Sequence, residues 1–170
     1  MTTDEPIWLT PDEMRAWRAL HAAVVVLPAA LDVQLQRDAG FSHLEYLALA
    51  GLYEHPDHTL RLSDLAALIG IELSRVSHMV ARLEKRGLVL RRPDPDDARC
   101  TNAVLTEQGQ HQVTSAAPGH VATVRKLVFD GLDATALHEL QKAADRIVAA
   151  LSMTDLPLAP TIRKSLRPTE

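Results

Sequence analysis

Basic side chains are concentrated in one short stretch of the sequence, residues 73–92. The stretch holds six basic residues and one acidic residue, a net charge of +5, whereas the whole chain of 170 residues carries −4. The basic residues are Arg75, Arg82, Lys85, Arg86, Arg91 and Arg92. A basic patch on an otherwise acidic protein is typical of a site for a polyanion, because lysine and arginine neutralise phosphates. The sequence therefore indicates nucleic-acid binding.

Two other groups of residues could bind a metal ion. Residues 55–58 read His-Pro-Asp-His, and two histidines and an aspartate so close together could hold a metal. The acidic residues of 94–97 could hold a cation, but carboxylates and prolines also make turns, and Asp97 can hold Arg99 in place there. In both places we favour a solvated turn, and we predict no metal site.

The single cysteine, Cys100, bears on redox chemistry and on the compartment. One cysteine excludes an intramolecular disulfide and a cysteine-based zinc finger, and it suits a reducing cytoplasm. A basic neighbour could lower the pKa of this thiol and make it a redox sensor. The alternative, which we favour, is a small residue that faces a sheet.

The sequence has no glycine-rich phosphate loop, nucleophile elbow or trusted metal-ligand spacing. We therefore predict that the protein is not an enzyme, with no catalytic residue and no cofactor. No stretch approaches the ~20 apolar residues that a membrane span needs. A cytoplasmic protein without a membrane partner is expected.

Two short amphipathic segments position the basic residues. Ser63 can cap a first helix, and Gly70 allows a tight turn after it. The residues that face inward in this first helix are Leu65, Ala66, Leu68 and Ile69. A second helix over residues 73–86 has its apolar residues three and four positions apart, which places them on one face. These are Val76, Met79, Val80 and Leu83.

The outer face of the second helix is small at its centre and basic or hydrogen-bonding at its edges. A helix that enters the major groove of DNA needs such a surface. The residues that we expect near the groove are Ser74, Arg75, Ser77, His78 and Arg82.

A β-hairpin follows the two helices. Residues 88–90 form one strand, residues 93–98 form a loop that cannot continue a strand because of its prolines, and residues 100–105 form the return strand. Arg99 leaves the loop and Arg91 lies near its base, and we expect both to contact DNA. A stiff loop can place an arginine in the narrow, negative minor groove, so we predict that Arg99 binds DNA there.

Long apolar stripes occur towards both ends of the chain. Thr10, Pro11 and Glu13 form a capping box with proline at the first helical position, so a helix begins there. Its stripe runs from Met14 to Leu35, and a second stripe, after a cap at Asp133, covers residues 137–151. Each stripe is either core or the interface of a dimer.

Several pieces of the sequence resemble the MarR family of bacterial winged-helix regulators. They are Ser63-Asp64-Leu65-Ala66, residues 76–89, residues 93–99 and Leu105-Thr106-Glu107-Gln108-Gly109. The order of helix-turn-helix, wing and long C-terminal helices matches that family over about residues 10–151. The resemblance implies transcriptional regulation, usually repression that a small molecule relieves by binding between the dimer helices and the DNA-binding lobe.

Together these observations predict a mainly α protein, a winged helix-turn-helix with a two-stranded β-wing and a helical dimerisation region from both termini. We expect a flexible N-terminus (1–9), a dimerisation helix (10–38), a DNA-binding lobe (42–105), C-terminal dimerisation helices (106–151) and a flexible tail (152–170). The predicted function is a sequence-specific regulator that binds a palindromic operator in double-stranded DNA as a homodimer. The alternative is a winged-helix module that binds protein without binding DNA.

Overall fold

The computed structural model describes residues 8–153, most of which are helical. The elements are α1 (Pro11–Ala39), α2 (His43–Glu54), β1 (Thr59–Arg61), α3 (Leu62–Ile69), α4 (Leu73–Lys85), β2 (Val89–Pro93), β3 (Thr101–Leu105), α5 (Glu107–Val124), a π-helical turn (Arg125–Phe129) and α6 (Ala134–Ser152). This order confirms the predicted winged helix-turn-helix. The segments predicted to be flexible, 1–9 and 152–170, lie almost wholly outside the described residues.

The first two helices begin at capping boxes. The hydroxyl of Thr10 accepts the N–H of Glu13, and the Glu13 carboxylate accepts the N–H of Thr10 at 2.7 Å. Gly40 ends α1 with a φ of 66°, which glycine adopts without steric cost. Ser42 and Glu45 repeat the same box at the start of α2. Local sequence therefore sets both ends of α1 and the start of α2.

The helix-turn-helix agrees with the prediction for α4 and differs from it for α3. Gly70 makes the turn with a φ of 69°, and the four predicted apolar residues of α4 are all buried. However, Ser63 does not cap α3, because β1 runs directly into the helix. Arg61 takes the N-cap position, and its side chain makes no capping hydrogen bond to the helix. Leu68 was also predicted wrongly, since it is 54% exposed while Leu62 is buried in its place.

The predicted wing is present, and a third strand extends it into a sheet of order β1-β3-β2. The short β1 pairs antiparallel with β3, with Arg61 opposite Asn102. Pro93 was expected in the loop but is the last residue of β2, opposite Thr101. An edge strand tolerates proline, because its outward N–H has no partner in the sheet to lose.

The core lies between the helix-turn-helix, the sheet and the helices α2 and α5. Its largest fully buried side chains are Phe41, Leu35, Leu49, Leu52, Leu65, Leu83, Val76, Val80 and Val89. Only the C-terminal part of α1 enters this core, through Leu31 and Leu35. The start of α5 is fixed at Thr106, whose hydroxyl accepts the N–H of Gly109 at 3.0 Å.

Gly109, in the first turn of α5, packs against Leu88, the residue before β2, and against Leu105 of β3. A Cβ at this position would collide with the carbonyl oxygen of Leu88 and lie 2.7 Å from Cδ1 of Leu105. We expect Gly109→Ala to lower the free energy of unfolding by about 1–3 kcal/mol, the usual cost of overpacking, as measured by urea denaturation. Gly131→Ala is the matched control, because a Cβ there meets no atom within 4 Å. Equal effects of the two substitutions would contradict this close approach.

Two apolar surfaces remain uncovered in the single chain. In α1 the exposed large apolar residues are Trp17, Leu20, Val24, Val25, Val26 and Val33, between 39% and 66% exposed. Every residue of α6 is exposed, including its predicted stripe of Leu137, Leu140, Ala144, Ile147, Val148 and Leu151. The stripe residues of α6 are therefore not core.

One expectation about the membrane needs correction. By length and composition, α1 is apolar enough to cross a membrane, with a mean hydropathy of 1.4 over its best window and 17% of that window buried. The core helix of a soluble protein and a signal sequence pass the same test. Length and hydropathy therefore do not decide what covers α1.

Candidate nucleic-acid interface

The outward face of α4 carries the predicted groove-facing residues. Ser74, Arg75, His78 and Arg82 are exposed and Ser77 is half-buried, while the opposite face of the helix is in the core. Arg75 forms no ion pair within residues 8–153. The arrangement leaves a rigid helix with a polar, cationic face towards solvent.

Arg82 and Arg86 also hold α4 against α2, which the sequence did not reveal. The nearly buried carboxylate of Glu45 lies 3.7 Å from Nε of Arg82 and 3.6 Å from an Nη of Arg86. Arg86 also donates to the carbonyl of Gly40 at 3.2 Å and lies 4.8 Å from the centre of the Phe41 ring. Arg86 is thus a structural cation, whereas Arg82 remains 62% exposed and can face both Glu45 and a ligand.

Arg91 is fixed at the base of the wing by the end of α4. Its Nε donates to Glu84 at 2.7 Å, and its backbone N–H donates to the same carboxylate at 3.0 Å. The two hydrogen bonds from Arg91 lower the pKa of Glu84. The predicted site residue Arg91 therefore has one internal partner and keeps 40% of its side chain exposed.

The loop of the wing is built around a buried carboxylate. Asp94 accepts Nε of Arg61 at 2.8 Å and Nη2 of Arg61 at 2.9 Å. The same carboxylate accepts the N–H groups of Asp96 and Asp97 at 3.0 and 3.1 Å. The arginine bond, more than any other contact, lowers the pKa of Asp94 to about 2. Arg61 could not be identified from the sequence, because it lies 33 residues from its partner.

Arg99 projects from the end of this loop, as predicted. Its Nε and Nη2 donate to the carboxylate of Asp97 at 2.9 and 3.0 Å, and its backbone N–H donates to Asp97 at 3.1 Å. The side chain nevertheless remains 90% exposed. The predicted contact between Asp97 and Arg99 is confirmed, and the guanidinium is both oriented and accessible.

A shallow cavity connects the wing with the two helices of the helix-turn-helix. Its volume is about 220 Å³, and its lining consists of Arg61, Leu62, Ser63, Leu73, Ser77, Arg99, Cys100 and Thr101. Two of the predicted site residues, Ser77 of α4 and Arg99 of the wing, thus line the same cavity. Arg91 lines a different cavity of about 320 Å³, beside Glu84 and Arg92.

Among the residues with possible metal or redox chemistry, His58 and Cys100 have structural partners, whereas Nδ1 of His55 is buried without a hydrogen-bond partner among the described residues. Nδ1 of His58 lies 3.3 Å from the carbonyl oxygen of Leu52, and the His58 ring stacks on the Tyr53 ring with 5.6 Å between the ring centres. The thiol of Cys100 lies 3.7 Å from the carboxylate of Asp97. These contacts favour a structural interpretation of His58 and Cys100.

A polar cluster lies where α1, α2 and α5 meet. The ring of His120 lies 4.4 Å from the ring of Tyr46 and 5.9 Å from the ring of His43. Nδ1 of His120 lies 3.4 Å from the side-chain oxygen of Gln34. Burial lowers the pKa of both histidines, and the neighbouring His43 lowers that of His120 further.

The lowered histidine pKa values predict a fold that weakens in mild acid. Both histidines have a lower pKa in the folded chain than in the unfolded chain, so as the pH falls the unfolded chain is protonated first. The neutral rings therefore stabilise the fold fully above the ordinary pKa of 6.5 and progressively less below it. We expect the free energy of unfolding to fall between pH 7.5 and pH 5.5, and His120→Gln to reduce that slope. His138→Gln, on the exposed face of α6, is the control. Parallel pH profiles for the parent and His120→Gln would contradict this role.

Part of the chain matches the model of the MarR family. The match covers residues 41–101, from just before α2 into β3, which includes α4 and the loop of the wing. The matched segment therefore contains all seven residues that were predicted to bind DNA.

Solved structures of MarR family transcriptional regulators resemble nearly the whole chain. Sco3205 from Streptomyces coelicolor, solved in complex with DNA, is 44% identical, with 90% of this chain and 95% of that chain covered and a TM-score of 0.82. AbsC from the same organism is 36% identical, with 88% and 100% covered and a TM-score of 0.82. The likeness thus extends beyond the winged helix to the long helices at both ends.

A curated relative agrees in class over a shorter span. The transcriptional repressor MprA of Escherichia coli is 24% identical over 116 residues, which is 68% of this chain and 65% of that protein. The alignment with this relative therefore leaves about a third of each protein uncompared.

Proposed function

Because this chain belongs to the MarR family of transcriptional regulators, which are not enzymes, we propose that it represses transcription in the cytoplasm by binding a palindromic DNA operator as a homodimer. The observation that carries the proposal is the polar, cationic outer face of α4 beside the exposed Arg99 of the wing. Sco3205, the regulator solved with DNA, supports the same ligand for a chain 44% identical to it.

In this proposal α4 enters the major groove and the wing lies over the adjacent minor groove. Arg75 and Arg82 can bond to base edges or phosphates, since both are exposed on the outward face. Ser74, Ser77 and His78 add hydrogen-bonding groups on the same face. Arg99 enters the minor groove, where a narrow A·T-rich segment attracts a cation, and Arg91 approaches the backbone.

A homodimer accounts for the two uncovered apolar surfaces. We propose that residues 10–38 and 106–151 pair with the same segments of a second copy, which buries the exposed stripes of α1 and α6. A two-fold dimer also sets two α4 helices about 34–36 Å apart, one turn of DNA, and therefore requires a symmetric operator. Residues 42–105 are then the DNA-binding lobe.

A small molecule that relieves repression is the second part of the proposal. CouR from Rhodococcus jostii, 25% identical to this chain, was solved bound to p-coumaroyl-CoA. Here the cluster of Gln34, His43, Tyr46 and His120 supplies hydrogen-bonding groups at the junction between the DNA-binding lobe and the helices of the proposed dimer. A ligand at this junction can change the spacing of the two lobes.

The salt dependence of binding tests this function against the protein-interaction module. Lysine and arginine release counterions when they neutralise phosphates, so affinity for duplex DNA should fall steeply, with a log–log slope of about −0.9 for each phosphate neutralised. Fluorescence anisotropy with a labelled duplex between 50 and 200 mM salt, roughly the range over which such binding weakens most visibly, measures the slope. Affinity that is absent, or flat across this range, would support the protein-interaction module instead.

A further inference from the structure

Asp94 is buried although it lies in the loop of the wing. Its side chain is 6% exposed, and its two oxygens accept hydrogen bonds from Nε and Nη2 of Arg61. A paired fork of this kind fixes orientation as well as distance. A buried carboxylate depends on such a partner, because burying an unpaired charge is costly.

Hydrogen bonds continue from this ion pair to the exposed arginine. Oδ1 of Asp94 accepts the backbone N–H groups of Asp96 and Asp97, which holds that turn of the loop. Asp97 then accepts both the guanidinium and the backbone N–H of Arg99. The contacts thus run without a break from Arg61 through Asp94 and Asp97 to Arg99.

The other end of this chain of contacts lies at the start of the helix-turn-helix. Arg61 is the last residue of β1 and the N-cap residue of α3, and it pairs with Asn102 of β3. Its bond to Asp94 therefore connects the wing loop to α3, the helix that precedes α4 in the helix-turn-helix. The strand pairing of β2 with β3 ends at Pro93 and Thr101, before the loop begins.

We propose that Arg61 and Asp94 are a positioning pair that holds Arg99 in place relative to α4, so that the wing is ordered before DNA binds. The proposal rests on the proposed function, since Arg99 matters only if the wing meets DNA. Ordering a loop and one long side chain during binding weakens affinity by about three- to ten-fold. That factor is the expected effect of breaking the pair.

Asp94→Asn is the informative variant because simple electrostatics predicts the opposite result. Removing a negative charge near DNA should strengthen binding, whereas loss of positioning should weaken it about three- to ten-fold. The amide retains an oxygen for the N–H groups of Asp96 and Asp97, so the change acts on the bond to Arg61. Asp57→Asn is the control for the change of charge, since Asp57 is exposed in the turn between α2 and β1 and lies outside both the wing and the two proposed dimer segments.

Arg61→Lys distinguishes a positioning role of Arg61 from a direct contact with phosphate. It is also the second test of the pair if Asp94→Asn fails to fold. Lysine keeps the positive charge but loses the paired fork. Positioning predicts a loss like that of Asp94→Asn, and a direct contact between Arg61 and phosphate predicts affinity close to that of the parent. Circular dichroism confirms that each variant is folded.

The experiment measures operator affinity for both variants in the parent and in an Arg99→Ala background. If the pair acts through Arg99, each substitution weakens the parent about three- to ten-fold but adds little once Arg99 is absent. Losses that are equal in both backgrounds, or no loss in the parent, would overturn the inference. A parent protein that binds no DNA would instead refute the proposed function, so the two failures are distinguishable.

Discussion

A glutamate in place of Val24 is expected to leave this protein monomeric and to abolish tight binding to its operator. Val24 is 59% exposed at the middle of the apolar stripe of α1, and the proposed dimer buries it. A charge buried there without a partner costs several kcal/mol. Because two linked half-sites raise affinity by about 10²–10⁴-fold, a monomer should lose at least about 100-fold.

Light scattering and anisotropy on the same samples measure both consequences. Tyr53→Glu is the control, since Tyr53 is also an exposed large apolar residue but lies near the end of α2, outside the two stripes. It should remain a dimer and keep its operator affinity. If Val24→Glu has the mass and affinity of the parent, the stripe of α1 is not the dimer interface.

Replacement of Arg75 by alanine is expected to weaken operator binding by about 1–3 kcal/mol, the usual value of an arginine that contacts a base edge. Arg75 is exposed on α4 and forms no ion pair among the residues that the structure describes, so its guanidinium is available. Random duplex DNA should be bound almost as well by the variant as by the parent. Specificity is then lost at one base pair of each half-site.

The control for Arg75→Ala is Lys142→Ala, which removes one positive charge from α6, where Lys142 pairs with Glu139. That variant should match the parent on both kinds of DNA. Equal losses of Arg75→Ala on operator and random duplex would show that the side chain contacts phosphate and does not distinguish bases. No loss on either DNA would remove Arg75 from the interface.

The parts of the fold that depend on local sequence could be predicted. The capping box at Thr10 and the tight turn at Gly70 involve residues within a few positions of one another. The buried face of α4 follows from helical periodicity alone. For the same reason its outer face could be identified before the structure was known.

The parts that depend on long-range contacts could not be predicted. From the sequence, Asp94 is interpreted as a turn residue. The structure shows that it is also the partner of Arg61, which lies 33 positions earlier. Glu45 caps the start of α2, and its carboxylate is also the partner of Arg82 and Arg86 at the end of α4. In each case the sequence identified the charge but not its partner.

Errors in the predicted elements have a similar origin. The three residues of β1 carry no strand pattern, and the strand exists because β3 offers it an edge. That strand enters α3 directly and places Arg61, and not Ser63, at the N-cap. The start of α3 thus depends on a strand pairing, which no local preference for serine could reveal.

The central claim is that this chain reads a symmetric DNA sequence with α4, and a selection from genomic fragments tests it most directly. The purified protein is incubated with the fragments at moderate salt, and bound DNA is sequenced. The account predicts enriched fragments that share an inverted repeat whose half-sites lie about one helical turn apart, centre to centre. Recovery of fragments without a common motif, or of no DNA at all, would contradict it.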